Sequence, residues 1–253
     1  MGLASRFFVT PGSVREGVAE ITGPDVHHIS HVLRLDIGAD VEIVDPKSGT
    51  FLANLTGITE ERISVRVIRK LAGPTGAGRL VLFQGLPKGA KMDGIVRGAV
   101  EVGVDKIVPV YTERSVLELT EEKALKRAER WRRIAVEASK QSKRDHVTEV
   151  ADPVELSRAL QIFTDFDAVL IFWEEERVVF PFDVLQSGVD VDRVAVVVGP
   201  EGGLTGAEVA SLEMLGGVAV TMGESVLRTQ TAGVVAPAIV KYELERKSKI
   251  ENS

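Results

Sequence analysis

The chain has 253 residues, 44% of them hydrophobic, enough to bury one large core or two smaller ones. Its net charge is −6 and it has no cysteine, which excludes disulfides, thiolate nucleophiles, iron–sulfur clusters and cysteine-held zinc. No stretch approaches the run of about 20 apolar residues that spans a bilayer, and the apolar run after Arg6 is too short for a secretion signal, so a cytoplasmic protein is expected.

Residues 1–72 read as a small β-barrel. Stretches rich in β-formers at 7–9, 17–21, 40–44, 50–58 and 63–69 are parted by Gly, Pro, Asp or Asn. Residues 25–35 have helical spacing, with Asp25 placed to cap. Three glycines and a proline within 72–78 mark a linker, assigned to 73–79. From residue 80 onward, apolar runs of strand length at 80–86, 106–112, 168–173, 194–198 and 218–222 alternate with helical patterns. The helices are expected at 92–102, 120–143, 153–160, 207–215 and 230–247. That alternation predicts an α/β domain over 80–253, a parallel sheet covered on both faces. Such sheets bind ligands beyond the C-terminal ends of their strands.

Charge is unevenly spread. Residues 121–144 hold nine Lys/Arg against four Glu, whereas 145–220 hold three Arg against fifteen Asp/Glu. The basic segment suits either a local grip on phosphate or a solvated helix face.

Two glycine loops carry the strongest signal. The apolar run 194–198 leads straight into Gly199-Pro-Glu-Gly-Gly-Leu-Thr205. Thr205 and Glu208 have capping-box spacing, so a helix should begin at Gly206. A plain turn needs one or two glycines; three let backbone amides approach a ligand. The spacing is not that of a P-loop, nor is that of Gly85–Met92, and no dinucleotide fingerprint is present. The second loop, Gly223-Glu-Ser-Val-Leu-Arg228, follows the next strand. If the two strands are parallel neighbours, both loops reach one edge of the sheet.

Gly199-Pro-Glu-Gly-Gly203 followed by Leu227-Arg-Thr-Gln-Thr-Ala232 resembles the RsmE family of 16S ribosomal RNA uridine-N3 methyltransferases, of the SPOUT superfamily. Arg6-Phe-Phe-Val9, His27-His28, Val32-Leu-Arg34, Glu101-Val-Gly-Val104, Glu113-Arg-Ser115 and Glu137-Ala-Ser-Lys-Gln-Ser-Lys-Arg144 resemble further stretches of that family, in the same order. Three positions depart from it. Gln230 replaces a Glu, Met222-Gly223 replaces Leu-Gly, and Gly98 stands where a Lys is common, with Arg97 beside it.

The resemblance implies a PUA-like, RNA-binding β-barrel followed by a SPOUT α/β domain with a deep trefoil knot. It implies a homodimer formed through the knotted domain. S-adenosylmethionine would lie bent among three loops. The first holds Phe172, Trp173 and Glu174; the second Val198, Gly199, Pro200, Glu201, Gly202 and Gly203; the third Met222, Gly223, Ser225, Val226, Leu227 and Arg228. The implied partner is 16S rRNA in the small ribosomal subunit, with neither metal nor membrane. Methylation at C5 of a pyrimidine runs through a cysteine adduct, which this chain cannot form. The N3–H of uracil is a weak acid, and an arginine beside O2 and O4 would stabilise its anion. Arg228, Arg114 and Arg144 are the catalytic candidates. Arg6, Arg34, Gln141 and Arg144 are candidates for RNA contact. His27, His28 and His31 cluster without the ligand set of a zinc site. Trp131 is expected in the core, and Trp173 either walls the adenine pocket or packs. Two other readings share these features: a ribose 2′-O methyltransferase of the same superfamily, and an RNA-binding assembly factor without catalysis, which Gln230 keeps open.

Overall fold

The computed structural model describes residues 5–71, 79–115, 120–186 and 191–251. The expected linker, apart from Arg79, lies outside them. The chain divides into two compact units, Met1–Thr75 with Ser139–Val147, and Gly76–Ala138 with Thr148–Ser253.

The first unit is a curled five-stranded sheet in the order β1-β3-β4-β5-β2. Its strands are β1 (Arg6–Phe8), β2 (Val18–Thr22), β3 (Asp40–Asp45), β4 (Gly49–Ile58) and β5 (Arg62–Lys70). Alternation drives it: Val41 and Ile43 point inward with Ala53, Leu55, Ile63 and Val65, all essentially inaccessible. Register shifts between Leu52 and Ala53 and between Leu55 and Gly57 bend β4 against β5, as bulges do. The expected helix over 25–35 is shorter and split. It comprises α1 (Pro24–His27) and one π turn, His28–Val32. Pro24, with its fixed φ, takes the first helical position, so Gly23 is the cap and Asp25 falls inside the helix. The Asp25 carboxylate instead pairs with Lys140 Nζ at 2.7 Å.

The second unit is a seven-stranded sheet whose main path runs β12-β10-β11-β6-β7-β8, with β9 also on β7. The strands are β6 (Arg79–Gly85), β7 (Lys106–Tyr111), β8 (Glu149–Val150), β9 (Val154–Glu155), β10 (Ala168–Phe172), β11 (Arg193–Val198) and β12 (Gly217–Val220). All pair in parallel. Successive residues serve opposite faces. Leu80, Leu82, Val194 and Val196 join one core with Trp131; Val81, Phe83, Ala195 and Val197 join the other with Phe163. The helices are α2 (Lys91–Glu101), α3 (Glu121–Gln141), α4 (Leu156–Ala159), α5 (Pro181–Leu185), α6 (Gly206–Glu213) and α7 (Thr229–Glu251).

Three expectations change. Helix was expected over 153–160, but Val154 and Glu155 pair with Val110 and Tyr111 first, leaving one turn of α4 and a 3₁₀ segment, Leu160–Asp165. The apolar spacing there was real, since Leu156, Ala159 and Phe163 all face one core. β8 and α5 were not anticipated; two and five residues are too short for a period to show. Finally, β11 and β12 are not neighbours. β10 lies between them, so three strands deliver their loops to one edge.

Asp45 is a buried charge that organises the first unit. Its carboxylate accepts the amides of Gly12 at 2.7 Å, Lys47 at 2.9 Å and Val14 at 3.2 Å. Burial alone would push its carboxyl up, but these amides hold it far below the ordinary value. A depressed folded-state pKa gives stability that is complete above the unfolded value of roughly 4 and fades as pH falls below it. Asp45→Asn should therefore cost roughly 1–3 kcal/mol at neutral pH. Thermal unfolding followed between pH 7 and pH 3 should show the gap from wild type narrowing towards acid; a constant gap would contradict this role.

Candidate functional site

The loops at the C-terminal edge of the second sheet are built on backbone contact. A Cβ at Gly199 would lie 2.8 Å from the carbonyl carbon of Gly203, and one at Gly85, where β6 ends, 2.5 Å from Pro200 N. Gly203 has φ +70°, and a Cβ there would fall 1.8 Å from Glu174 Oε1. Thr205 then starts α6 through the expected capping box. Its hydroxyl accepts the Glu208 amide at 3.2 Å, and the Glu208 carboxylate accepts the Thr205 amide at 2.8 Å.

The other two loops are tied together. The Glu176 carboxylate accepts the amides of Arg177, Val178 and Val179 at 2.9, 2.7 and 3.1 Å. Those amides, Val178's foremost, hold its pKa below the usual carboxylate range. Val179 O in turn accepts Thr221 N–H at 2.8 Å, fastening this loop to the end of β12. The Thr221 hydroxyl accepts the amide of Gly223, whose φ is +105°. At the start of α7, buried Thr229 donates its hydroxyl to Gly199 O at 2.7 Å.

These loops enclose a cleft of about 470 Å³. Phe172, Trp173 and Glu174 line it, with Val198, Gly199, Pro200, Glu201 and Gly203. So do Met222, Gly223, Ser225, Val226, Leu227 and Arg228. Gly202 is off its surface, packed against the Arg114 stem. Lys91, Arg177, Val220, Thr221, Thr229, Gln230 and Ala232, none of them expected from the sequence, line it too. Lys91 and Arg177 lie outside the two glycine motifs, and no periodicity marks them. Trp173 Nε1 is buried without a hydrogen-bond partner.

Glu201 turns its side chain towards α2. Its carboxylate accepts Lys91 Nζ at 2.6 Å and the Lys88 amide at 3.1 and 3.2 Å. Burial raises its pKa, but the bond from Lys91 and the amides outweigh it, and the net direction is down. α2 packs closely on α7 at Gly98 and Gly94. A Cβ on Gly98 would lie 2.5 Å from Val234 Cγ2, so the lysine common there has no room. Gln230 lies over Gly94, where a Cβ would meet its Nε2 at 2.8 Å.

The candidate arginines are in different surroundings. Arg228 is exposed on the cleft wall, and its guanidinium has no ion pair among the described residues. Arg114 Nη1 donates to Gly202 O at 2.7 Å, behind the glycine loop. Arg144 belongs to the first unit, where its Nη2 lies 2.7 Å from His146 Nε2, and His146 Nδ1 lies 2.6 Å from Asp145 Oδ1. Arg6 is engaged with Glu42 at 2.7 Å and with the carbonyls of Lys143 and Arg144. Arg34, with φ 51°, and Gln141 are exposed. Much of the basic charge of α3 is neutralised: Lys126 pairs with Glu122, Arg130 with Asp93 and Arg132 with Asp152, each within 2.7 Å. Trp131 is buried in the core.

Residues 75–241 match the RNA methyltransferase domain family, and residues 21–68 the RNA methyltransferase PUA domain. The chain is 33% identical over 234 residues to ribosomal RNA small subunit methyltransferase E of Bacillus subtilis, covering 89% of this chain and 90% of the relative. It is 28% identical to the protein of that name from Synechocystis, covering 96% and 79%. A crystal structure of ribosomal RNA small subunit methyltransferase E from Neisseria gonorrhoeae, bound to S-adenosyl methionine, superposes with a TM-score of 0.79 at 26% identity, covering 95% and 98%.

The contact between Gly85 and Pro200 can be tested without a ligand. Gly85→Ala should overpack it and cost roughly 1–3 kcal/mol in urea denaturation. An unchanged midpoint would mean that the two backbones do not press on one another.

Proposed function

The chain belongs to the RNA methyltransferase family of ribosomal RNA small subunit methyltransferase E, and on that footing we propose that it transfers a methyl group from S-adenosylmethionine to N3 of one uridine in 16S rRNA. Residues 1–72 act as the PUA-like RNA-binding domain, and residues 80–253 as the SPOUT methyltransferase domain. The enzyme works in the cytoplasm on the small ribosomal subunit.

The cleft fits this donor. Its volume is in the range of ordinary small-ligand sites, roughly 300–1,000 Å³. Gly199 and Gly203 let the loop fold tightly on itself and on Glu174, where any Cβ would collide, and so hold the loop's backbone at the cleft wall. Val198, Val220, Leu227 and Ala232 offer an apolar wall for an adenine, and the unpartnered Trp173 N–H is a donor in reserve. When bound, the donor supplies a methyl group on a positively charged sulfur.

The chain's own residues orient the acceptor and manage one proton. Arg228 carries the reading: it is an exposed cation on the cleft wall without an ion pair among the described residues, next to Thr229, whose buried hydroxyl anchors it. Placed beside O2 and O4 of the uracil, its guanidinium favours the N3 anion, and the released proton passes to solvent. Arg114 braces the glycine loop through Gly202. Arg144, Arg34 and Gln141 contact RNA, and Arg6 positions the Lys143–Arg144 backbone. The strand order, and the packing of α7 on β6, β11 and α2, support a deep trefoil knot in this domain. Exposed Phe180, Phe182 and Tyr242 support pairing of two such domains as a homodimer.

Small subunits from a strain lacking the modification, incubated with the protein and S-adenosylmethionine, should gain one methyl per 16S rRNA, located on uracil N3 by mass spectrometry. A methyl on ribose, or none, would contradict the proposal. Arg228→Ala should lower turnover by roughly 100-fold or more. If Arg6, Arg34, Arg114, Arg144 and Arg228 can each be replaced by Ala without loss, the arginine mechanism is wrong. Sedimentation should give a dimer; a monomer at micromolar concentration would refute the pairing.

A further inference from the structure

Gln84 is a polar residue in an apolar place. It is fully buried near the end of β6, on the face that carries Leu80 and Leu82. Its Cα is in register with Val198, so its side chain stands beside the first residue of the glycine loop. Nε2 donates to Gly85 O at 2.9 Å, to Thr229 Oγ1 at 3.1 Å and, at the long distance of 3.4 Å, to Gly199 O. Thr229 passes its own hydroxyl hydrogen on to Gly199 O. One amide thus joins the end of β6, the glycine loop and the start of α7.

The other end of that amide is unsatisfied. Gln84 Oε1 is buried with no hydrogen-bond partner. It presses on Gly233, where a Cβ would be only 2.4 Å away. A buried oxygen without a donor costs stability, and native proteins hold few of them. Methionine would fill the same space without that cost, at the expense of the bonds that Nε2 donates to Gly85 O, Thr229 Oγ1 and Gly199 O. A buried amide that bridges two walls of a binding cleft with its nitrogen while its oxygen stays unsatisfied suggests service to that cleft.

We propose that Gln84 is a positioning residue of the methyl-transfer site. It does not line the cleft. It acts through Gly199 and Thr229, which do, and so sets the gap between the glycine loop and the turn that carries Arg228. The inference rests on the reading that this cleft holds S-adenosylmethionine.

The two properties should move apart when Gln84 is replaced. Gln84→Met loses the bridge and also the orphaned oxygen. Its melting temperature should stay near that of the wild type, the lost bonds offsetting the relieved oxygen, while its affinity for S-adenosylmethionine, measured by calorimetry, should fall about tenfold or more. Thr229→Val removes the second arm of the same bridge without touching β6. The double variant should bind no worse than the weaker single variant, because both changes break one unit. Thr229→Ser, which keeps the hydroxyl, should bind more tightly than Thr229→Val. Wild-type affinity in Gln84→Met, or losses that simply add in the double variant, would overturn the inference. A loss of binding that merely tracks a fall in melting temperature would overturn it too. Wild-type protein that binds no S-adenosylmethionine would instead overturn the reading of the cleft, and this inference with it.

Discussion

Backbone meets backbone where β6 and β11 end, and the rest of the site depends on that approach. The chain leaves both strands through glycine, Gly85 and Gly199, and neither position can take a side chain without moving Pro200 or Gly203. Because the two strands come so close, the loop after β11 folds back over its own start. Thr229 then reaches Gly199 O and draws the beginning of α7 into the same corner. The helix above obeys the same constraint. α7 crosses α2 at Gly94 and Gly98, and Gly233 gives way to Gln84. Glycine here provides contact distance rather than flexibility, and its conformational cost is offset by fixed loop geometry. β10, lodged between β11 and β12, adds a third loop that Val179 and Thr221 lock to the second.

Electrostatics follow from that frame. The chain is acidic overall, yet it must handle a polyanion. Charge composition alone misleads, since much of the basic charge on α3 is paired with carboxylates. Position matters more. Glu201 spends its charge on Lys91, and Arg114 is fixed to Gly202 O, so both act on the shape of the cleft. Arg228 is left as a cation at the cleft wall. In the first unit, Asp45 gathers three amides into one buried carboxylate, an arrangement that shapes the sheet's turns rather than the chemistry.

What the sequence disclosed, and what it hid, divides by range. Local signals were readable. The Thr205–Glu208 capping box marked the start of α6 at Gly206, and five apolar runs marked five of the strands of the parallel sheet. The barrel strands were legible within a residue at most ends, because alternation and turn residues are local. Order across the sheet was not legible, since nothing in β11 or β12 reports that β10 separates them. The start of the 25–35 helix was misplaced because Pro24 and Asp25 are both good starters, and Pro24 took the first helical position. Lys91 and Arg177 reach the cleft only through tertiary folding. Gln84 passed unremarked inside the apolar run 80–86, because its role depends on Thr229, 145 positions away.

If the glycine-built cleft holds the methyl donor, a bound ligand must be found there. A crystal structure of the chain grown with S-adenosylhomocysteine tests it most directly. One ligand per chain is expected, its adenine against Val198 and Leu227 and its backbone contacts on Gly199–Gly203 and the Gly223–Arg228 loop. Ligand bound elsewhere with this cleft empty, or no ligand at saturating concentration, would contradict it.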